Sequence, residues 1–237
     1  MKLQRFLSLT RKAIDEYNMI EDGDKIAIGV SGGKDSLCLI RFLKELQRFY
    51  PKKFEIVAVT VALGFDNFDL KGIAKYCEDL GVEYHIVETE IGKVVFEERK
   101  EKNPCSLCAK MRKGAFNDFV TSIGCNKVAL GHHKDDVLET FLMSLFYEGR
   151  INTFAPVMYL DRMDLTTIRP MIYIEENDII GFSKKENLPI LKSPCPANGE
   201  TKREESKEFL AELRDKYEHL DAKLMGAITR NKINNWK

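Results

Sequence analysis

Alternation between apolar strands and amphipathic helices constrains the fold of this sequence more than any other feature. Nearly continuous apolar, β-branched runs predict buried strands at 25–30, 54–61 and 127–130, with shorter strands at 82–87 and 165–168. Helical periodicity occupies the segments between them, at 35–49, 69–80, 107–123, 134–147 and 175–186. Because strands that alternate with helices are typical of right-handed βαβ crossovers, the sequence predicts an α/β fold with a doubly wound parallel sheet.

The pattern changes near the C-terminus to charged helix, at 202–217 and 220–229. We therefore expect three segments: an N-terminal helical segment at 1–24, the sheet domain at 25–200 and a C-terminal helical appendage at 201–237. Balanced charges in the appendage leave two alternatives open, packing against the sheet domain or against a partner.

Composition narrows the class of protein. Of 237 residues, 44% are apolar and 31% are charged, which suits one globular core and excludes a disordered or collagen-like chain. The longest uncharged stretches, 56–65 and 151–160, have ten residues each, whereas a helix needs about 20 to cross a bilayer. The N-terminal residues do not have the pattern of a signal peptide, so we expect a cytoplasmic protein with reduced cysteines and no membrane partner.

A glycine-rich loop, Ser31-Gly32-Gly33-Lys34-Asp35-Ser36, lies between the first predicted strand and the first predicted helix. Glycines let backbone N–H groups approach an anion, and a helix N-terminus adds the positive end of its dipole. The loop departs from the Walker A pattern at Ile28 and Asp35, and it lacks the third glycine of the dinucleotide fingerprint. The sequence therefore predicts a phosphate-binding loop of another type, in preference to the alternative of a tight turn alone.

A second polar motif, Gly131-His132-His133-Lys134-Asp135-Asp136, follows a later strand and begins a helix. Ligands of open α/β sheets lie beyond the carboxyl ends of the strands, so both motifs are expected to face one crevice. A divalent ion that bridges phosphates needs oxygen ligands, for which Asp35, Asp135 and Asp136 are candidates. Favourable charge at a helix N-terminus is the plain alternative for the last two. The histidines suit structural hydrogen bonding as well as catalysis.

The six cysteines divide into two groups. Three lie in apolar surroundings typical of buried thiols: Cys38, Cys77 and Cys125. Cys105 and Cys108 lie at a predicted helix start, where the dipole and nearby cations are expected to lower the thiol pKa. Cys195 lies between two prolines on a loop. These three thiolates can hold an iron–sulfur cluster with one open iron, and a persulfide-carrying pair is the equal alternative.

An RNA partner needs a local basic patch, because 37 basic and 37 acidic residues leave a formal net charge of zero. Segment 2–12 has four basic residues and no acid, and segment 99–113 has six basic residues and one acid. A solvated face is the alternative for either patch. Our candidates for RNA contacts lie in the second patch: Arg99, Lys100, Lys102, Lys110, Arg112 and Lys113.

The order of the motifs resembles the TtcA family of tRNA 2-thiocytidine synthetases, and the glycine-rich loop resembles the PP-loop of ATP pyrophosphatases. The resemblance covers 25–203 and rests on residues 31–36, on Cys-Ser-Leu-Cys at 105–108, on residues 131–136, on Phe-Tyr-Glu-Gly-Arg at 146–150, on Ile-Arg-Pro at 168–170 and on Cys195. Relatives often show a second C-x-x-C at the late position, where this chain has one cysteine.

The resemblance implies an enzyme that uses ATP and Mg²⁺ to thiolate an anticodon-loop cytidine of tRNA. It places a [4Fe-4S] cluster on Cys105, Cys108 and Cys195. It makes Lys34, Asp35 and Asp136 catalytic, and it assigns ATP binding to Ser31, Gly32, Gly33, Lys34, Asp35, Ser36, Val61, Gly131 and Asp135. Under this hypothesis, O2 of the pyrimidine attacks the α-phosphorus of ATP, and sulfur then replaces that oxygen at C2.

Two alternatives stay open. One is a PP-loop enzyme that uses a cysteine persulfide relay on another RNA or on a small molecule. The other is a non-catalytic RNA-binding protein in which a metal staples a loop. The sulfur donor of the thiolation hypothesis is a cysteine desulfurase or inorganic sulfide, and formation of a homodimer is open.

Overall fold

The computed structural model describes residues 2–65, 69–99, 104–191, 195 and 202–237. Within these residues, six strands form one sheet in the order β3-β2-β1-β4-β6-β5. The strands are β1 (Asp24–Gly29), β2 (Phe54–Ala62), β3 (Glu83–Glu88), β4 (Lys127–Ala129), β5 (Val157–Leu160) and β6 (Leu165–Ile168). Every pairing is parallel except that of β5 with β6, which is antiparallel. The predicted fold class is confirmed, and the edge strand β5 is an element that the sequence analysis did not assign.

Helices lie before, between and after the strands. They are α1 (Leu3–Glu16), α2 (Lys34–Leu46), α3 (Lys71–Asp79), α4 (Ile91–Lys93), α5 (Pro104–Ser122), α6 (Lys134–Tyr147), α7 (Glu176–Lys185), α8 (Lys202–Lys216) and α9 (Leu220–Arg230). A π-helical segment, Val94–Glu98, continues α4, and a 3-10 turn, Ile233–Asn235, follows α9. Neither α4, the π-helical segment nor the 3-10 turn was predicted from the sequence.

The sheet is covered on both faces because its strands are apolar on both faces. Ile26 and Ile28 of β1 join the larger core, which includes buried residues of α1, α2 and α7. Ala27 lies between them and joins a second core on the opposite face, which includes Val120 of α5. The alternation of side chains along a strand therefore separates the helices into two layers.

The C-terminal helices pack against the sheet domain, which is one of the two alternatives that the sequence left open. Helices α8 and α9 both contact α6. Arg214 of α8 forms an ion pair with Asp135 at 2.6 Å. Trp236 is only 1% exposed, and its indole N–H donates to the Phe154 carbonyl at 2.9 Å.

The three cysteines expected in apolar surroundings are buried, as predicted: Cys38, Cys77 and Cys125. Across the part of the chain that the structure describes, no helix is both long enough and apolar enough to cross a membrane.

Candidate functional site

The glycine-rich loop connects β1 to α2 and adopts a conformation that needs glycine. Gly32 has a φ of +82°, and a Cβ atom there would lie 3.2 Å from Cβ of Leu191. The N–H of Leu191 donates to the Gly32 carbonyl at 2.9 Å, which ties residue 191 to the loop. Ser36 closes the turn, because its hydroxyl donates to the Gly33 carbonyl at 3.0 Å and accepts from the N–H of Ser31 at 3.3 Å. The start of α2 is thereby held beside the end of β1.

Lys34 is the first residue of α2 and has two carboxylate partners. Its Nζ atom lies 2.9 Å from Oε1 of Glu176 and 3.2 Å from Oδ2 of Asp35. Burial lowers the pKa of Lys34, but Asp35 and Glu176 together outweigh burial and raise it. The lysine is therefore a fixed positive charge. Glu176 belongs to α7, and the sequence analysis did not identify it as part of the site.

The second polar motif meets the loop, as the sequence predicted. A Cβ atom on Gly131 would lie 3.0 Å from the carbonyl carbon of Asp35, so only glycine allows this approach of the two backbones. His133 is buried, and its Nε2 atom lies 3.7 Å from Oδ1 of Asp35 and 3.5 Å from Oδ2 of Asp136. Oδ1 of Asp35 is buried and has no hydrogen-bond partner among the described residues.

Asp136 faces the site and forms a capping box with His133 at the start of α6. Its Oδ2 atom accepts the backbone N–H of His133 at 2.8 Å, while Nδ1 of His133 accepts the N–H of Asp136 at 3.4 Å. Its Oδ1 atom pairs with the guanidinium of Arg203. Arg203 also contacts Glu139 at 3.1 Å, so this arginine is a further site residue that the sequence analysis did not identify.

Asp135 does not line the cavity at the strand ends and contacts the surrounding helices instead. Its Oδ2 atom accepts the N–H of Glu176 at 2.7 Å, at the start of α7. Its Oδ1 atom accepts from Arg214 at 2.6 Å. The carboxylate is thus occupied by protein groups in this structure, whereas the sequence analysis assigned it to ATP binding.

A cavity of about 630 Å³ lies at the carboxyl ends of β1, β2, β4 and β6. The predicted ATP and catalytic residues on its wall are Ser31, Asp35, Ser36, Val61, Gly131 and Asp136. Arg203 and Arg169 also line it. Ligand sites of open parallel sheets occupy this position because the strand ends and helix N-termini converge there.

Of the three remaining cysteines, Cys195 lines this cavity, and Ala109, the neighbour of Cys108 on α5, lines it as well. Cys105 and Cys108 are free thiols. Burial raises the pKa of Cys108, Arg112 lowers it, and Cys195 and Cys105 raise it by charge repulsion. Cys105 and Cys195 are therefore both within electrostatic reach of Cys108. The expectation of a lowered thiol pKa is wrong for Cys108, because burial outweighs the neighbouring cation.

A single metal ion would need its ligands closer together than these thiols are. Among the described residues, no three His, Cys, Asp or Glu side chains converge in a way that could hold one ion. A cluster binds each thiolate to a different iron, so it does not require that degree of convergence.

Part of the basic patch at 99–113 lines the cavity. Arg112 and Lys113 of α5 are exposed and line the cavity, while Arg99 and Lys110 are exposed outside it. Four further residues used in the sequence analysis lie outside the described residues: Lys100, Lys102, Pro194 and Pro196.

A parallel sheet with a Ser-Gly-Gly-Lys-Asp-Ser loop after its first strand, facing a cavity, defines the PP-loop class of nucleotide-binding α/β proteins. A PP-loop domain model matches residues 5–205. The chain is 35% identical over 231 residues to the tRNA-cytidine(32) 2-sulfurtransferase of Geobacter sulfurreducens, spanning 96% of this chain and 90% of that protein. It is 41% identical over 214 residues to the enzyme of the same name from Pseudomonas paraeruginosa, spanning 89% of this chain and 78% of that protein. The chain belongs to the tRNA-cytidine(32) 2-sulfurtransferase family.

Solved structures share this fold. The U34-tRNA thiolase NcsA from Methanococcus maripaludis, solved with its [4Fe-4S] cluster, superimposes with a TM-score of 0.76 at 24% identity, over 94% of this chain and 77% of that one. The NH3-dependent NAD synthetase of Campylobacter jejuni superimposes with a TM-score of 0.53 at 19% identity, over 98% of this chain and 95% of that one.

Proposed function

We propose that this protein is an ATP-dependent tRNA sulfurtransferase that replaces O2 of cytidine 32 with sulfur. Relatives with 35% and 41% identity carry the name of this activity. One observation carries the proposal for this chain: Cys195 lines the same cavity as Ser31 and Asp35. A thiol group and a phosphate loop that face one space are the parts required for activation of a carbonyl oxygen followed by sulfur transfer.

ATP is proposed to place its phosphates on residues 31–36 and its adenine near Val61, which lies in β2 on the cavity wall. Lys34 would stabilise negative charge on the phosphates, since its ion pairs keep it protonated. The buried, unpartnered Oδ1 atom of Asp35 fits a cation ligand, and Asp136 offers a second carboxylate. Mg²⁺ bound by these oxygens would neutralise phosphate charge during the transfer.

The reaction has two substitution steps. In the first, O2 of the cytidine bonds to the α-phosphorus, and pyrophosphate leaves with the electron pair of the broken P–O bond. In the second, the sulfur of a hydrosulfide bonds to C2, the C2–O2 bond breaks, and AMP leaves with the oxygen while the sulfur proton passes to solvent. Because the target atoms are at the base edge, the cytidine must leave its stack to enter the cavity.

Cys105, Cys108 and Cys195 are proposed to bind a [4Fe-4S] cluster. Three cysteine side chains, of which Cys105 and Cys195 are both within electrostatic reach of Cys108, are a donor set that suits such a cluster and leaves one iron without a protein ligand. The cluster would hold the sulfur that is transferred. The Arg112 guanidinium near Cys108 offsets part of the rise in the thiol pKa that burial causes.

The tRNA is proposed to contact the basic patch of α5. Arg112 and Lys113 are exposed at the cavity and suit phosphate contacts, with Arg99, Lys100, Lys102 and Lys110 as further candidates. The sulfur donor is proposed to be a cysteine desulfurase or inorganic sulfide. A tRNA substrate agrees with the cytoplasmic location expected from the sequence.

Anaerobic purification tests the function directly. Iron and sulfide analysis should show an iron–sulfur cluster, and the protein with ATP, Mg²⁺, sulfide and an unmodified tRNA transcript should yield 2-thiocytidine, AMP and pyrophosphate. Cys105→Ser, Cys108→Ser and Cys195→Ser should each abolish 2-thiocytidine, whereas Cys125→Ala, a buried cysteine of the other core, should retain it. Activity without iron would instead favour a persulfide relay.

Charge reversal tests the tRNA surface. The double variant Arg112→Glu with Lys113→Glu should lose most tRNA retention on a filter. The double variant Lys184→Glu with Lys185→Glu is the matched control, because both lysines are exposed on α7 and lie outside both basic patches, and α7 covers the opposite face of the sheet from α5. Equal retention by the α5 double variant and the wild type would refute this surface.

A further inference from the structure

Arg169 is a buried cation that lines the cavity without a carboxylate partner among the residues that the structure describes. It follows β6, is 5% exposed and contributes to the cavity wall. Its Nε atom donates to Nδ1 of His132 at 3.2 Å, and Nη1 donates to the Ala155 carbonyl at 2.5 Å. The guanidinium carbon lies 4.8 Å from the ring centroid of Phe154. In the described part of the chain, no ion pair joins Arg169 to an acidic side chain.

Every partner of Arg169 is neutral near pH 7. Burial lowers the pKa of His132 to about 4, with Arg169 adding to the shift, so the imidazole is uncharged and accepts the hydrogen bond. Burial also lowers the pKa of Arg169 to about 10, and the side chain still carries its charge at neutral pH. A buried charge is unfavourable unless it is paired, so a guanidinium kept in this state at a cavity wall is suited to an anionic ligand.

The position of Arg169 in the sheet separates it from the phosphate loop. The order β2-β1-β4-β6 places β6 two strands from β1, which corresponds to roughly 10 Å between strand ends. The proposed adenine position near Val61 lies on β2, on the other side of β1. Arg169 therefore faces the part of the cavity that remains for the second substrate when ATP lies across β1 and β2.

We propose that Arg169 binds a phosphodiester oxygen of the RNA next to the target nucleotide, and thereby holds the flipped nucleotide against the phosphate loop. This inference rests on the proposed function. The planar guanidinium has five N–H donors, two of which are used by His132 and Ala155, and its fork matches two oxygens of a phosphate. His132 and Phe154 are positioning residues that fix the plane of the guanidinium.

The test compares the affinities of the anaerobically purified holoenzyme for two ligands that both carry phosphate. Dissociation constants are measured for an unmodified tRNA transcript and, separately, for ATP with Mg²⁺. Arg169→Met should weaken tRNA binding by about tenfold, which corresponds to loss of one charge-assisted contact, and should change ATP binding by less than about twofold. The slope of the logarithm of tRNA affinity against the logarithm of salt concentration should decrease by about one unit.

Two further variants complete the design. Arg169→Lys keeps the charge but not the forked guanidinium, so it should keep the salt slope and recover only part of the tRNA affinity. It also carries the test if circular dichroism shows that Arg169→Met does not fold. Arg162→Met is the matched control, because Arg162 is exposed on the turn between β5 and β6. It should bind both ligands like the wild type.

The outcomes separate this inference from the proposed function. Unchanged tRNA affinity and salt slope in Arg169→Met would overturn the assignment of Arg169. If ATP binding were weaker as well, the result would assign Arg169 to the ATP site instead. Wild-type protein that binds tRNA and yields no 2-thiocytidine would overturn the proposed function and leave the role of Arg169 in RNA binding intact.

Discussion

Nζ of Lys34 lies 2.9 Å from Oε1 of Glu176, a contact between residues 142 positions apart in the sequence. The loop lysine is therefore positioned by α7 as well as by its own helix. Glu176 also accepts from Lys207 of α8 at 2.9 Å, so a single carboxylate joins the phosphate loop to the C-terminal helices. The geometry of the loop depends on segments that are distant in the chain.

Replacing Lys34 tests its electrostatic role. Lys34→Met keeps the length of the side chain and removes the charge, so formation of AMP and pyrophosphate should decrease about 10²- to 10³-fold, as for loss of one preorganised charge donor. Lys44→Met is the control, because Lys44 lies on the same helix and donates to the Gly81 carbonyl at 2.8 Å, away from the cavity wall. Pyrophosphate release in the presence of tRNA measures both, and equal rates for the two variants would contradict the assignment.

Replacing Glu176 tests how much its contacts with Lys34 and Lys207 stabilise the folded protein. Glu176→Gln removes a carboxylate that is 15% exposed and leaves Lys34 with Asp35 as its only acidic partner. The free energy of unfolding should decrease by about 1 to 3 kcal/mol, because the hydrogen bonds to two ammonium groups weaken. Denaturant unfolding measures this loss. Stability equal to that of the wild type would show that the contact with α7 does not hold the loop.

The close approach of Gly131 to the start of α2 gives a steric prediction. Gly131→Ala would place a methyl group 3.0 Å from the Asp35 carbonyl carbon and 3.1 Å from the N–H nitrogen of Ser36, and backbone atoms cannot move aside as a side chain can. We expect ATP binding to weaken about tenfold or more, corresponding to the 1 to 3 kcal/mol typical of overpacking. Isothermal titration calorimetry with ATP and Mg²⁺ measures the effect.

Gly181→Ala is the control for that variant. Gly181 is exposed within α7, and an added methyl group would meet nothing within 4 Å. Because alanine is a better helix former, this variant should be more stable by about 0.5 to 1 kcal/mol and should bind ATP like the wild type. Normal ATP binding by Gly131→Ala would show that the two backbones can separate without affecting the loop.

Local patterns in the sequence predicted the elements that the sheet and its motifs require. Helix α6 was predicted at 134–147 and is observed at Lys134–Tyr147. The meeting of residues 31–36 with residues 131–136 followed from the rule that strand ends converge. Strand β5 was not predicted because it does not have the nearly continuous apolar, buried pattern of the central strands. It lies at the sheet edge, where its Met158 and Tyr159 are exposed.

Contacts between distant segments do not leave a local signal. Arg203 pairs with Asp136 across 67 positions, and Arg203 looks like an ordinary surface charge in the sequence. The same is true of Glu176, the partner of Lys34. Arg169 was visible only as part of Ile-Arg-Pro, since a sequence does not reveal that a charged side chain is buried without an acidic partner.

His132 predicts a dependence of stability on pH. Burial lowers its pKa from 6.5 to about 4, so the unfolded chain takes up a proton between these values while the folded protein does not. The free energy of unfolding should therefore decrease as the pH falls from 6.5 to about 4, by at most about 1.4 kcal/mol per pH unit from this residue. Denaturant unfolding over this range measures the slope.

His132→Asn should flatten that slope, because asparagine does not titrate and can still accept a hydrogen bond from Arg169. His219→Asn is the matched control, since His219 is exposed and has a φ of 56°, which asparagine tolerates. Its slope should equal that of the wild type. A slope in His132→Asn as steep as in the wild type would assign the pH dependence to other groups.

Trp236 connects the C-terminal segment to the proposed RNA side of the cavity through Phe154. Its indole N–H donates to the Phe154 carbonyl, and the Phe154 ring lies 4.8 Å from both the His132 ring centroid and the Arg169 guanidinium carbon. Trp236→Ala should decrease the free energy of unfolding by about 3 to 5 kcal/mol, because it leaves a cavity in the core. Trp236→Phe keeps most of the packing and loses the hydrogen bond, so it should cost about 1 kcal/mol from that bond. If Phe154 positions Arg169 as inferred, Trp236→Phe should also weaken tRNA binding while ATP binding stays constant, and a loss of ATP affinity of equal size would instead indicate a general loosening of the sheet domain.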